Sequence, residues 1–229
     1  VVYIEVDMSK RRLIILGCSL SAVGHLKTWG QQVAESCDLE MINLAVPASS
    51  NQLQLHRFKE FVIDSTISED DIIIWEITGI ERYHSRRKLN LIEKFIKNSA
   101  TFCSERKNLF DNEYRYDLLC NHSDAKKNHN NKDFEQLLED ILFHLLVAKQ
   151  FTNNVIALAG WRMALFDEYY DKFFNILKSK NIEFVEEPIL EYSIKNNIPL
   201  CDDFHPNEEG YVSYANNCVI PKLKSLNLV

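Results

Sequence analysis

Glycine and proline are scarce, at 6 and 5 of 229 residues. A loop whose backbone cradles phosphates needs several glycines after a strand. The first strand-end turn, Gly17-Cys18-Ser19-Leu20-Ser21, carries one, which argues against a phosphate-binding nucleotide or response domain. No stretch approaches about 18 uninterrupted apolar residues, so no transmembrane helix is expected. A charged-then-apolar leader with a small-residue cleavage site is also lacking. Met8-Ser9-Lys10 reads as a natural start, with residues 1–7 an upstream remnant. Positive charge is in deficit: 26 Lys and Arg against 33 Asp and Glu, for a formal net charge of −7. A general nucleic-acid binder needs a basic face, and no nucleic-acid or membrane partner is expected. Six cysteines occur, at 18, 37, 103, 120, 201 and 218, with no Cys-x-x-Cys pair. A structural zinc site is therefore not expected, and reduced thiols in a cytoplasm are the default. There is no internal repeat and no evident linker. The length suits one domain, read as 8–229 with an irregular insertion at about 83–132.

What the chain does contain is a series of short apolar runs alternating with helical patterns. Residues 12–17 read as a buried strand ending at Gly17, and residues 22–37 as a helix. Met41 to Val46 form a second strand, and Ser50 or Asn51 would cap a helix reaching Asp64. Ile72-Ile73-Ile74-Trp75-Glu76-Ile77 is a third strand whose continuous apolar character implies cover on both faces. A helix is read at 91–100, followed by a polar tract at 121–132 that is too hydrophilic to bury. His122 and His129 in that tract read as solvated side chains rather than metal ligands. Asp133 opens a strongly amphipathic helix to Gln150, with His144 as a core or boundary residue. A fourth strand covers 154–159, a helix 165–179, a short fifth strand 182–185 and a last helix runs from Asn207. Five strands alternating with helices indicate an α/β three-layer sandwich with a parallel sheet.

In such sheets, sites form beyond the carboxyl ends of the strands. Ser19 follows strand one, Ala48 to Asn51 follow strand two, and Thr78 to Arg82 follow strand three. Gly160-Trp161-Arg162 follow strand four, and a late loop supplies Asp202, Asp203 and His205. A serine on a strand-to-helix turn presents its hydroxyl beside backbone N–H groups suited to a developing oxyanion. Asp202 stands three residues before His205, in a turn that ends at Pro206. There the carboxylate can fix the imidazole tautomer while the other ring nitrogen takes the proton of Ser19. Asp203 is the alternative orienter, and capping of the terminal helix by Asp202 and His205 is the non-catalytic alternative. Cys18 is expected to face away from Ser19 as a small buried hydrophobe, and Ser21 to cap the following helix.

These residues carry a resemblance. Gly17-Cys18-Ser19-Leu20-Ser21, Asn43 to Asn51, the loop after strand three and Asp202-x-x-His205-Pro206 are similar, in order and placement, to the four blocks of the SGNH (GDSL-type) hydrolase superfamily. The resemblance implies a flavodoxin-like α/β/α fold. It also implies Ser19 as nucleophile, His205 as base, Asp202 as orienting carboxylate, and no metal or organic cofactor. Three departures matter. Cys18 replaces the usual aspartate of the first block, and Ala48 stands at the usual oxyanion glycine. Thr78-Gly79-Ile80-Glu81 lacks the asparagine of the third block, and losing one oxyanion donor costs about 10²–10³ in rate. Asn51 or Thr78 could substitute, and Asn51 is preferred because its amide is a donor. The oxyanion set is thus Ser19, Ala48 and Asn51.

Thr78, Gly79, Arg82 and Trp161 are the expected substrate-binding residues. The run Arg82-Tyr83-His84-Ser85-Arg86-Arg87-Lys88 could hold an anionic group. Trp75 and Trp161 could stack on a sugar ring, although core packing is the commoner role. The expected activity is serine-dependent cleavage of a small O-acyl group, acetyl on a carbohydrate above all, through an acyl-enzyme. O-acetyl transfer to a glycan, and a non-catalytic glycan- or protein-binding module on the same fold, are the alternatives. The expected partner is a small-molecule or glycan ester, with the oligomeric state open.

Overall fold

The computed structural model describes residues 10–22, 24, 26–47, 49–79, 84–88, 114–118, 131–161, 167–201 and 205–229. Elements in chain order are β1 (Arg12–Leu16), α1 (Trp29–Ser36), β2 (Glu40–Asn43), α2 (Asn51–Asp64) and β3 (Ile72–Ile77). They continue with β4 (His84–Lys88), β5 (Tyr114–Leu118), α3 (Asn131–Ala148), β6 (Val155–Ala159) and α4 (Asp167–Ser179). The chain ends with β7 (Glu183–Phe184), α5 (Ile189–Lys195), α6 (Glu208–Tyr214), a π-helical turn (Ala215–Val219) and α7 (Ile220–Ser225).

The central sheet has five strands in the order β2-β1-β3-β6-β7. Every pairing in it is parallel. Counting only these strands, the order is 2-1-3-4-5, the flavodoxin-like arrangement. Parallel strands carry side chains alternately to opposite faces. Ile14, Leu16, Ile73, Trp75 and Ile77 accordingly join Phe58 of α2, Leu145 of α3 and Phe173 of α4 in one core. Leu13, Ile15, Ile74 and Leu158 join Trp29 and Val33 of α1, Tyr192 of α5 and Tyr211 and Tyr214 of α6 in the other. The expected three-layer sandwich is therefore present. Each fully buried Leu, Ile or Phe in these layers contributes about 1.5–3 kcal/mol relative to exposure.

Several boundaries differ from the sequence reading. The helix expected over 22–37 starts only at Trp29. The cause is a capping box: Thr28 accepts from the Gln31 N–H, and the Gln31 side chain accepts from the Thr28 N–H. Ser21 is consequently no helix cap; its hydroxyl accepts from the Trp29 indole at 3.1 Å. β2 stops at Asn43 rather than Val46 because the Asn43 side chain turns back to accept from the Ala45 N–H at 2.9 Å. A two-stranded antiparallel ribbon, β4 with β5, lies within the stretch read as irregular, pairing Arg86 with Tyr116 and Arg87 with Arg115. The short helix α5 was not read from the sequence either. The helix read at 91–100 and the polar tract with His122 and His129 lie outside the described residues, save that α3 begins at Asn131.

The amino ends of the two central strands are tied by charge. The Arg12 guanidinium pairs with Asp71, donating from Nε to Oδ1 at 3.1 Å and from a terminal nitrogen to Oδ2. Asp71 is 2% exposed and also accepts the Ser68 N–H at 2.7 Å. The hydrogen bond to Asp71 raises the Arg12 pKa above its ordinary value. On the other end of the same strands lies the rim that carries the candidate chemistry.

Candidate active site

β1 ends at Leu16 and its chain turns sharply. The Cys18 carbonyl accepts from both Ser21 N–H (3.1 Å) and Ala22 N–H (2.9 Å), closing a single turn that presents Ser19. Asn43 braces this turn from β2 by donating to the Ser21 carbonyl at 2.7 Å. The β2–α2 loop is tied to the same place, for Ser49 Oγ and the Val46 N–H both donate to the Gly17 carbonyl, at 2.7 and 3.1 Å. Ser19 thus sits at the junction of β1 with its two neighbours. There the strand order reverses, and a crevice opens in doubly wound sheets.

His205 reaches Ser19 from the far end of the chain. The loop before it closes on itself through a Cys201 N–H to His205 carbonyl bond of 2.8 Å and a bridge between Leu200 and Pro206. Asn207 then caps α6, accepting the Gly210 N–H at 2.8 Å. The cap is therefore Asn207, which removes the helix-capping alternative for His205. Its Nε2 stands 2.6 Å from Ser19 Oγ. With Nε2 as acceptor, the ring hydrogen of a neutral imidazole is on Nδ1, the nitrogen that an orienting carboxylate would address. Asp202, the residue expected in that role, and Asp203 lie outside the described residues.

Of the residues expected to hold the oxyanion, Asn51 lies on α2. Ser50 caps this helix by accepting the Leu53 N–H at 3.2 Å, so Asn51 is its first residue and not its cap. The Asn51 amide faces the end of β3. Its Nδ2 donates to the Thr78 carbonyl and its Oδ1 accepts the Thr78 N–H, both at 3.1 Å. One Nδ2 hydrogen remains uncommitted among the described residues. Thr78 and Gly79 are buried, and Thr78 meets the site through its peptide. Trp161, half-buried, packs against the core that holds α1 and α6. Ala48 and Arg82 lie outside the described residues.

Two contributors escaped the sequence reading. One is Asn43, the brace on the serine turn. The other is Glu76, the single charged residue of β3, which is 0% exposed. Glu76 Oε2 accepts the Cys18 N–H at 3.0 Å, and Oε1 lies 2.8 Å from Cys18 Sγ. Cys18 is buried as expected, yet it is a polar partner of a carboxylate rather than a plain hydrophobe. Its sulfur is also 4.0 Å from Ser19 Oγ. A lone carboxylate inside an otherwise apolar strand is the kind of signal that could have exposed Glu76, because buried polar residues are the informative ones. Among the described residues no group of three His, Cys, Asp or Glu side chains is placed to hold a metal ion. No described helix is long and apolar enough to cross a membrane.

No family model matches the sequence. No curated protein matches it. Solved structures do. A lipolytic protein of the G-D-S-L family from Veillonella parvula aligns over 94% of this chain and 97% of its own, with a TM-score of 0.58 and 12% identity. The psychrotrophic esterase EstA from Pseudoalteromonas, in a structure inhibited by monoethylphosphonate, aligns over 94% and 98%, with a TM-score of 0.55 and 12% identity. A catalytic mutant of the acetylxylan esterase Axe2 from Geobacillus stearothermophilus aligns over 90% and 91%, with a TM-score of 0.50 and 12% identity. Across nearly its whole length, the chain carries the fold of GDSL-type lipolytic and esterase structures.

Proposed function

We propose that the protein is a serine-dependent esterase that works through an acyl-enzyme. The observation that carries this reading is the 2.6 Å contact between Ser19 Oγ and His205 Nε2, formed by residues 186 positions apart. A contact of that length is within range for proton transfer from hydroxyl to imidazole. Ser19 Oγ attacks the acyl carbonyl and His205 Nε2 takes its proton. The tetrahedral oxyanion is received by the N–H groups of Ser19 and Ala48 and by the uncommitted Nδ2 hydrogen of Asn51. His205 returns the proton to the leaving alkoxide, which departs as the alcohol. Water, deprotonated by His205, attacks the acyl-enzyme and releases the acid and Ser19. The role of orienting carboxylate is assigned to Asp202.

The ester is a small O-acyl group, with acetyl on a carbohydrate as the preferred case. The fold likeness to an acetylxylan esterase supports that choice. Transfer of the acyl group to a sugar hydroxyl differs only in the nucleophile of the second half-reaction. The test is labelling of the purified protein with a fluorophosphonate probe, together with hydrolysis of p-nitrophenyl acetate and of acetylated xylo-oligosaccharides. Ser19 is expected to be the labelled residue, with acetate released from both substrates. Absence of labelling in a folded sample would sink the enzymatic reading in favour of a binding module.

A further inference from the structure

Glu76 lies in a socket built for it. Gly17, at the end of β1, and Gly160, at the end of β6, flank its carboxylate. A Cβ at Gly160 would sit 2.7 Å from Glu76 Oε1, and a Cβ at Gly17 would collide with Oε2. Neither glycine takes a positive φ, so what each supplies is space rather than conformational freedom. The chain thus gives up a side chain just past the end of each of the two strands beside β3, and this admits one wholly buried carboxylate. Such a group is costly to desolvate unless it is hydrogen-bonded. Two of its contacts go to Cys18, the residue immediately before Ser19. The Cys18 N–H belongs to the peptide that leaves β1, and the Cys18 carbonyl closes the turn carrying Ser19. Only the two Cys18 torsions separate these groups, and the bonds from Ser21 and Ala22 to the carbonyl hold those torsions, so gripping the N–H anchors the whole turn.

We propose that Glu76 is the positioning residue of the nucleophile turn. It clamps the Cys18 peptide and thiol from the adjacent strand, and so sets the Ser19 hydroxyl and N–H against His205 and the oxyanion. Position 18 offers no carboxylate of its own, and β3 supplies one. The proposal rests on Ser19 being the nucleophile. Its essence is reach: the carboxylate oxygen must arrive at the Cys18 N–H. A misplacement of about 1 Å at a catalytic group costs roughly 10²-fold in rate.

Two conservative variants separate reach from charge. Glu76→Gln keeps the reach and an acceptor oxygen while removing the charge; Glu76→Asp keeps the charge but draws it back by a methylene. Hydrolysis of p-nitrophenyl acetate is measured per fluorophosphonate-titrated site, with amide exchange of residues 18–22 followed by mass spectrometry. The expected result for Glu76→Gln is a kcat within about fivefold of the parent and unchanged exchange. For Glu76→Asp it is a kcat loss of about 100-fold, an unchanged KM and faster exchange of the turn. The reverse order, Glu76→Asp active and Glu76→Gln impaired, would show that charge matters and overturn the clamp. So would a loss confined to melting temperature and to the fraction of titratable sites, with kcat per site preserved in both. If the parent protein neither labels nor hydrolyses, the esterase reading fails by itself. Exchange in the Glu76→Asp variant then decides the clamp alone.

Discussion

The Asn51 side-chain amide and the Thr78 main chain form a closed two-bond pair, Nδ2 donating to the Thr78 carbonyl and Oδ1 accepting the Thr78 N–H, each bond 3.1 Å long. It joins the first turn of α2 to the residue that follows β3 and orients Asn51 Nδ2 by its neighbour rather than by its own rotamer preference. Asn51→Ala removes a candidate oxyanion donor and its two hydrogen bonds to the buried Thr78 main chain. The expected loss is about 10²–10³ in kcat with little change in KM. Stability should fall by about 1–3 kcal/mol. Steady-state kinetics per titrated site and urea denaturation measure the two effects separately.

Ser19→Ala and His205→Ala are expected to act as a unit. Each alone should lower kcat by about 10⁴-fold or more, and the double variant should be scarcely slower than either. Ser19→Ala should also abolish fluorophosphonate labelling. Independent, multiplying losses would contradict a shared proton-transfer step.

Gly160→Ala places a methyl group against Glu76 Oε1 and the Leu20 side chain. Overpacking of this kind costs about 1–3 kcal/mol. Adding Glu76→Ala frees part of the room, so the two changes should be non-additive. Additive melting-temperature losses in the double variant would contradict the crowding.

His144 gives the stability a pH dependence. It is 5% exposed, stacks on Trp75 at 6.1 Å between centroids, and burial pushes its pKa down from 6.5 to about 4. The native state therefore favours the neutral ring. Between pH 6.5 and 4 the unfolded chain binds the extra proton. The stabilisation is complete above pH 6.5 and is lost as the pH falls towards 4, by roughly 3 kcal/mol at about 1.36 kcal/mol per unit. Melts at pH 7 and pH 4.5 should show the fall, and His144→Phe should flatten it.

Asp71→Asn tests the opposite end of the sheet. It removes the negative charge that faces the Arg12 guanidinium and leaves a neutral acceptor in its place, at an expected cost of about 1–3 kcal/mol. Kcat per titrated site should be unchanged, because the pair lies at the amino ends of β1 and β3 while Ser19 follows the carboxyl end of β1.

The sheet was legible because each central strand is a short apolar run, and β3 is buried at all six positions. Ser19 and His205 were legible because both stand in compact local patterns at strand and helix boundaries. The start of α1 was misread for a physical reason: Val23 and Leu26 extend the helical spacing backwards, while Thr28-x-x-Gln31 was the stronger signal. β4 is too polar for periodicity to reveal, whereas β5 alternates Tyr114, Tyr116 and Leu118 with Arg115 and Asp117, a period-two signal too short to stand out in a polar stretch. Cys18 and Glu76 show the limit most clearly. Their contact links positions 58 residues apart, and no local spacing announces a carboxylate supplied by the neighbouring strand.

The π-helical turn at Ala215–Val219 joins α6 to α7 without a break. A π turn holds one residue more than the α-helix around it, and side chains beyond it lag by about 100°. That lag is what brings Ile220 and Leu223 onto the same core as Tyr211 and Tyr214. The surplus faces water, where Asn216 and Asn217 are exposed. Pro221, the second residue of α7, has no N–H with which to continue an α-helical ladder. The C-terminal helix therefore keeps one buried stripe across both a wide turn and a proline.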